Sequence, residues 1–250
     1  MPYKKLKQIA EVNNYEYINI QTTTSTMNDA KKYLNEKNQN CIILSNSQTE
    51  GRGRRGSFWE SPEGNIHCSI TFKNNLEIKD HFLYSILICV SIKLALERFN
   101  AKQINFKWPN DIYHLKKKFG GVILETFKSD NLESFIIGGF GININTSPDI
   151  IEYPTTYAKA FTKIKNINDF LLVFFKILFK NIHELQLKNI IKLKNIFRES
   201  LMFKDEKIQI LLPNNSILTG IFQDINEDGS LRLKTKHDIQ NIYNGRIILC

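Results

Sequence analysis

Gly51-Arg52-Gly53-Arg54-Arg55-Gly56-Ser57-Phe58-Trp59-Glu60-Ser61-Pro62-Glu63-Gly64-Asn65 combines backbone that can approach a ligand closely with fixed positive charge. Its four glycines remove side chains where the chain must close on something, and its three arginines carry planar, permanently charged forks suited to carboxylate or phosphate oxygens. An arbitrary Gly/Arg run is a solvated basic turn. Here the order continues into Trp59-x-Ser61-Pro62-x-Gly64-Asn65, and flexible linkers rarely carry Trp and Pro at fixed offsets, so the segment reads as an anion-binding loop. It lies between an apolar run, Cys41 to Ser45, and an alternating one, Asn65 to Phe72, which places it at the ends of two strands.

In the second of those strands Ile66, Cys68 and Ile70 share one face and His67, Ser69 and Thr71 the other, which gives His67 a ligand-facing position. Further upstream, Glu16 to Ile20 reads as a first strand. The hydroxyls of Thr22 to Thr26 precede a helix from Met27 to Leu34, and one of them is expected to cap it, at a helix start that is also a natural anion site.

Downstream, His81 to Phe99 has the apolar spacing of a core helix. A strand, Ile104 to Trp108, ends at Pro109-Asn110-Asp111, a turn signature, and His114 to Lys118 reads as a second turn before the strand Gly120 to Glu125. Lys116 and Lys117 suit a solvated tip; Lys118 abuts the strand and is expected to face a cleft. Phe135 to Asn145 forms another strand, whose Gly-x-Gly precedes no helix and so is no Rossmann phosphate loop. Asn168 or Asp169 is expected to cap an apolar helix, with helical periodicity to about Ser200. The remainder contains five short strands separated by Pro-Asn-Asn, Asn-Glu-Asp-Gly and Asn-Gly turns, the pattern of a small separate β-barrel.

The 250 residues suffice for a large domain with a small appendage, read as 1–200 and 201–250. A net charge of +9 favours polyanionic partners: ATP, nucleic acid or acidic proteins. From residue 196 onward seven basic residues balance seven acidic ones, so the whole excess lies earlier. Cys41, Cys68, Cys89 and Cys250 form no Cys-x-x-Cys pair and the histidines have no ligand spacing, which predicts free thiols, no protein-held metal and a reducing, cytoplasmic location. There is no signal-peptide pattern, and the Phe170 to Phe179 run is too short to span a bilayer.

Three motifs occur together: the 51–65 loop, Lys107-Trp108-Pro109-Asn110-Asp111 with Lys118-x-Gly120-Gly121 and Glu125 behind it, and Gly139-x-Gly141-Ile142-Asn143. In this set and order the chain, from about Tyr17 onward, closely resembles the biotin–protein ligases. The resemblance implies an α/β (α+β) fold: a mixed-sheet catalytic domain related to class II aminoacyl-tRNA synthetases, followed by an SH3-like barrel. It implies the short, enzyme-only class, because Ser25-Thr26 stands too near Met1 for an N-terminal winged-helix DNA-binding domain.

It further implies an ATP-dependent ligase that forms biotinyl-5′-AMP and passes biotin to a carrier lysine, with MgATP as co-substrate. The expected partner is the biotin carrier domain of acetyl-CoA carboxylase, for an enzyme acting as monomer or homodimer. Matching residue by residue places Ser25, Thr26, Met27, Gln48, Arg52, Gly53, Arg54, Lys118 and Gly121 at biotin, and Arg54, Arg55, Trp59, Asn110, Lys118 and Asn143 at ATP. Lys118, Arg54 and Asp111 are the expected catalytic residues. Trp59 stacks on adenine, closes the loop or anchors the core, and Asp111 orients Lys118 or the incoming amine. Met27 and His67 stand where the family often has Asn and Tyr. Two rival readings are a lipoate–protein ligase, disfavoured by the Gly-Arg-Gly-Arg loop, and a nucleic-acid-binding protein, disfavoured by the neutral barrel.

Overall fold

The strands on either side of the 51–65 loop are neighbours at the centre of a large sheet. The computed structural model describes residues 2–74, 76–77 and 80–248; Leu249 and Cys250, expected in the last strand and among the free thiols, lie outside the described residues. In chain order the first part contains α1 (Pro2–Val12), β1 (Glu16–Thr23), α2 (Thr26–Lys37), β2 (Cys41–Gln48), β3 (Ile66–Lys73) and α3 (Phe82–Glu97). Then come β4 (Ile104–Lys107), β5 (Asp111–His114), β6 (Lys117–Lys128), β7 (Ser134–Ile142), α4 (Ile167–Gln186) and α5 (Ile191–Glu199). The strands pair in the order β1-β2-β3-β7-β6-β5-β4, with β1 parallel to β2 and the other pairs antiparallel, which is the mixed sheet expected.

Helices cover both faces. Met27, Ala30 and Leu34 of α2 bury against Cys41, Ile43, Phe135 and Ile137, while α3 and α4 cover the opposite face, with Phe140 edge-on to Phe174 and Tyr17 edge-on to Phe175. β3 is buried on both faces along nearly its whole length, as a central strand must be.

A second sheet follows: β8 (Lys207–Leu211), β9 (Ile217–Ile225), β10 (Leu231–Lys234), β11 (Ile239–Ile242) and β12 (Arg246–Ile248), antiparallel in the order β11-β10-β9-β8-β12. These are the five barrel strands of the sequence pattern. Their apolar side chains, among them Ile208, Ile210, Phe222 and Leu231, join the same core cluster as α3 and α4, with Phe197 of α5 stacked on Phe106 of β4 at 4.8 Å. Trp108, buried at the end of β4, donates its indole N–H to the Gly229 carbonyl at 2.9 Å and so ties the small sheet to the large one.

Three local expectations change. β5 is a strand where the sequence shows only a turn signature, because pairing with both β4 and β6 overrides the weak preference of four residues. α1 forms where no element was assigned, its Leu6 and Ala10 buried in the main core cluster. The cap of α4 is Asn166 rather than Asn168 or Asp169: its side chain accepts the Asn168 amide at 2.8 Å.

Replacing Asn166 by Ala is therefore expected to lower stability by about 1 kcal/mol, whereas Asn168→Ala is expected to stay within about 0.5 kcal/mol of the parent. Urea unfolding of the two variants checks this, and equal losses would place the cap elsewhere.

Candidate active site

The 51–65 loop folds back as a tight hairpin over the end of the large sheet. Arg52 bridges Phe58, the Gly53 amide donates to Ser57 O at 2.7 Å and the Trp59 amide to Gly51 O at 2.9 Å. A Cβ on Gly51 would lie 2.3 Å from the Trp59 carbonyl, so no other residue fits there. The sheet beneath is also stripped of side chains. Gly141 lies under the Trp59 indole, where a Cβ would fall 2.3 Å from Nε1. The Trp59 indole thus packs the hairpin against the sheet.

Ser45, His67, Gly141, Gly121 and Asp111 are successive cross-strand partners from β2 to β5 and form one row on this face. His67 is buried in that row and does not line the cavity; its Nε2 is 3.0 Å from the Pro62 carbonyl, holding the far end of the loop. Burial lowers the imidazole pKa, with the Pro62 bond opposing. Among the described residues, His67 Nδ1, Ser45 Oγ and Trp59 Nε1 are buried without a hydrogen-bond partner.

A cavity of about 550 Å³ opens between hairpin and sheet, a size suited to a small ligand. Ser25, Thr26, Met27 and Gln48 are among its lining residues. Ser25 is the N-cap residue of α2 yet makes no capping bond with its side chain. Instead the Gln48 carboxamide oxygen accepts from the Thr26 amide at 2.8 Å and hydroxyl at 3.1 Å, and its Nε2 donates to Ser61 Oγ at 2.9 Å. The Thr26 hydroxyl also meets Ser69 Oγ at 2.8 Å. Met27 fills the space above Gly139, where a Cβ would come within 2.8 Å of its sulfur.

The lining is also strongly charged. Arg52, Arg54, Arg55, Lys107, Lys118 and Arg246 line the cavity, and among the described residues Asp111 is its only carboxylate. Lys118 Nζ is 2.8 Å from Asp111 Oδ1, largely buried, and lies over the Trp59 and Tyr153 rings at 5.6 and 5.2 Å. Arg52 donates to Asn28 Oδ1 at 2.5 Å; Arg54 and Arg55 both donate to Asn244 Oδ1, at 2.9 and 2.8 Å. Burial, then the charge of Arg55, lowers the Arg54 pKa, while burial lowers that of Lys107, with Lys118 and Arg246 adding to it and Asp111 opposing. Six cations around one carboxylate, with Arg54 and Lys107 partly desolvated, give a cavity whose charge suits an anion bearing more than one charge.

Gly53, Asn110 and Gly121 also line the cavity, Asn110 with its Nδ2 donated to the Val122 carbonyl at 2.7 Å. Of the residues matched to biotin, ATP or catalysis, Asn143 alone is outside the lining. It is buried, and its Nδ2 donates to Thr156 O at 3.2 Å while its carbonyl accepts from the Ala158 amide at 2.8 Å, so it anchors the segment after β7. Tyr153, Arg246 and Asn244 were not singled out from the sequence. Tyr153 stands in a loop that also holds Ile150, Ile151 and Tyr157, so nothing local in the sequence distinguishes it, and Asn244 and Arg246 offer only an Asn-Gly turn.

A second concavity of about 610 Å³ adjoins the first across Arg52 to Gly56. A larger groove of about 800 Å³ between α1 and α4 carries Lys5, Lys176, Lys180 and His183 but none of the convergent motif residues. Among the described residues no three His, Cys, Asp or Glu groups are placed to hold a metal, and no helix is long and apolar enough to cross a membrane.

Residues 17–143 match the profile of the biotin/lipoate A/B protein ligase family, and residues 205–249 that of the biotin protein ligase C-terminal domain. The bifunctional ligase/repressor BirA of Bacillus subtilis is 29% identical over 128 residues, 50% of this chain and 39% of that protein. The biotin–[acetyl-CoA-carboxylase] ligase of Paracoccus denitrificans is 28% identical over 129 residues, 51% of this chain and 54% of that protein. The chain thus spans less than two thirds of the curated relatives it matches. In fold it is similar to the biotin protein ligase of Aquifex aeolicus in complex with biotin and ATP, with a TM-score of 0.74 at 24% identity, covering 94% of this chain and 97% of that one.

The buried His67 carries a pH dependence. Its pKa in the fold lies below the ordinary 6.5, so the unfolded chain takes up the proton first. Its contribution is present above about pH 6.5 and is lost as pH falls below it, with a slope of at most about 1.4 kcal/mol per pH unit. Urea unfolding between pH 5 and 7.5 is expected to show a shallower acid loss in His67→Tyr than in the parent; parallel slopes would exclude the effect.

Proposed function

The chain belongs to the biotin/lipoate A/B protein ligase family, and from that premise we propose that it activates biotin with ATP as biotinyl-5′-AMP and transfers it to a carrier lysine. The observation that carries this reading is the cavity itself. Polar groups of α2 and β2 and six cations line one cavity, and a second concavity adjoins it across the arginine hairpin, which suits a reaction between two anionic substrates.

In the first step a biotin carboxylate oxygen attacks the α-phosphorus of ATP. A new P–O bond forms, the bond to the β-phosphate oxygen breaks and pyrophosphate leaves. The barrier arises from bringing two anions together, and prepositioned cations lower it because they need no reorganisation as charge develops. Lys118 has three N–H donors and spends one on Asp111, leaving two for substrate oxygens. Arg54 and Arg55 share one Asn244 oxygen and keep most of their donors free for phosphate. Mg²⁺ would enter with the nucleotide, since among the described residues Asp111 is the only carboxylate lining the cavity.

Ser25, Thr26 and Gln48 suit the ureido ring, whose polar edge would be costly to bury unpaired. Trp59 over Gly141 restricts water near an acyl-adenylate. In the second step the carrier amine attacks the acyl carbon, AMP departs and the amine gives up its proton. The expected carrier is the biotin domain of acetyl-CoA carboxylase. Lipoate ligation uses the same two-step logic; the match of residues 205–249 to the biotin protein ligase C-terminal domain favours biotin.

Incubation with labelled biotin, MgATP and a biotin carrier domain is expected to place label on one carrier lysine, and labelling by lipoate instead would overturn the choice of substrate. Lys118→Ala is expected to lower biotin-dependent pyrophosphate release by about 10²- to 10³-fold. Release near the parental rate would remove Lys118 from its assigned role.

A further inference from the structure

Lys118 is held from a direction that the motifs do not reveal. The segment after β7 runs back alongside the start of β6: the Lys118 amide donates to the Pro154 carbonyl at 2.9 Å, and the Thr156 amide donates to the Lys118 carbonyl at 2.9 Å. Thr155 therefore pairs with Lys118 as an isolated parallel bridge. This strap is fastened by Asn143 through Thr156 and Ala158, and by Phe161 stacked on His114 at 3.9 Å. At its near end Tyr153 lines the cavity and sets its ring 5.2 Å from the Lys118 ammonium, with the Trp59 ring at 5.6 Å.

We propose that Tyr153 is a positioning residue of the ligase reaction, its ring and that of Trp59 forming an aromatic clamp that holds the Lys118 ammonium where it meets the substrate anions. An ammonium in a cavity lined by five other cations needs a favourable partner to stay there. A second carboxylate would supply one, but it would take up N–H donors and repel an incoming carboxylate or phosphate. An aromatic face attracts the cation through its quadrupole, with no negative charge to neutralise an anion site and no lone pair in the σ-plane competing for the N–H groups. Asp111 takes one donor, and the ring faces, being far weaker acceptors than a carboxylate, leave the remaining N–H groups available to substrate oxygens. The strap takes both the amide and the carbonyl of Lys118, so the ring is tied to the lysine through two backbone hydrogen bonds.

This inference rests on the ligase reading, and its test has one arm that does not. Tyr153→Phe keeps the ring; Tyr153→Leu and Tyr153→Gln remove it. In biotin-dependent ATP–pyrophosphate exchange, the two ring-less variants are expected to lose about 5- to 30-fold in kcat with less change in the KM for ATP, while Tyr153→Phe retains at least about half of the parental kcat. In the second arm lysines are reductively methylated with ¹³C-formaldehyde, and the dimethyl-Lys118 resonance is assigned by its loss in Lys118→Arg. Flanked by two ring faces, it is expected upfield of the other lysines in the parent and in Tyr153→Phe, and to move toward them in the ring-less variants. An unmoved resonance, or a moved resonance with undiminished kcat, would overturn the proposal, as would a Tyr153→Phe variant as impaired as Tyr153→Leu. A parent protein without biotin-dependent exchange, but with the same resonance shifts, would remove the ligase reading and leave the clamp standing.

Discussion

Six cations facing one carboxylate is the constraint on which the rest of the structure depends. Two unit charges about 4 Å apart near a protein surface repel by about 4 kcal/mol, so gathering Arg52, Arg54, Arg55, Lys107, Lys118 and Arg246 around one cavity works against folding. The scaffold spreads the cations over four elements and leaves Arg52, Arg55 and Arg246 exposed, where solvent and salt screen their charge. Arg52 to Arg55 sit on the hairpin, Lys107 ends β4, Lys118 begins β6 and Arg246 begins β12. The carboxylate is placed at the centre of the problem, where it partners Lys118 directly and counters the lowering of the Arg54 and Lys107 pKa values.

The same constraint explains the bare surface beneath the hairpin. Gly121, Gly139 and Gly141 lie on the face that the hairpin covers, and at Gly139 and Gly141 a Cβ would strike Met27 or Trp59. Glycine in a strand weakens it, and here that cost is offset on the opposite face, where Ile136 and Phe140 of β7 pack into the large core with α3 and α4. One strand thus serves a site on one side and stability on the other. In the sequence Phe135 to Asn145 shows this only in part, because Gly139 and Gly141 fall on the site face while Gly138 falls on the core face beside Ile88.

The features legible in the sequence were those carried by local chemistry. The strand–loop–strand around residues 51–65, the placement of Lys118 beyond a lysine-rich tip and the five barrel strands each follow from periodicity or turn residues within about fifteen positions. What was not legible depended on docking. Asp111 to His114 is a strand only because β4 and β6 flank it, and the duty of capping α2 passes from the hydroxyls of Thr22 to Thr26 to Gln48, 22 residues along. His67 was expected to face ligand; it lies on the expected face of β3 but under the loop, spent on Pro62. Asn143 likewise acts one step removed from the cavity, through the strap that carries Tyr153.

The small sheet contributes to the cavity as well. From sequence it reads as a neutral appendage, yet Asn244 in its last turn accepts from both Arg54 and Arg55, and Arg246 two residues on lines the cavity. A single carboxamide oxygen accepting from two guanidinium groups positions them without cancelling their charge, which a carboxylate at 244 would do. For that arrangement to hold, the turn must stay in register with the hairpin. The continuous apolar cluster through Phe106, Phe197, Ile208 and Phe222, together with the Trp108 bond to Gly229, supplies the fixed seating. The joint between the sheets is therefore part of the site's electrostatics, because it sets how far apart the hairpin arginines lie and which of their donors remain free.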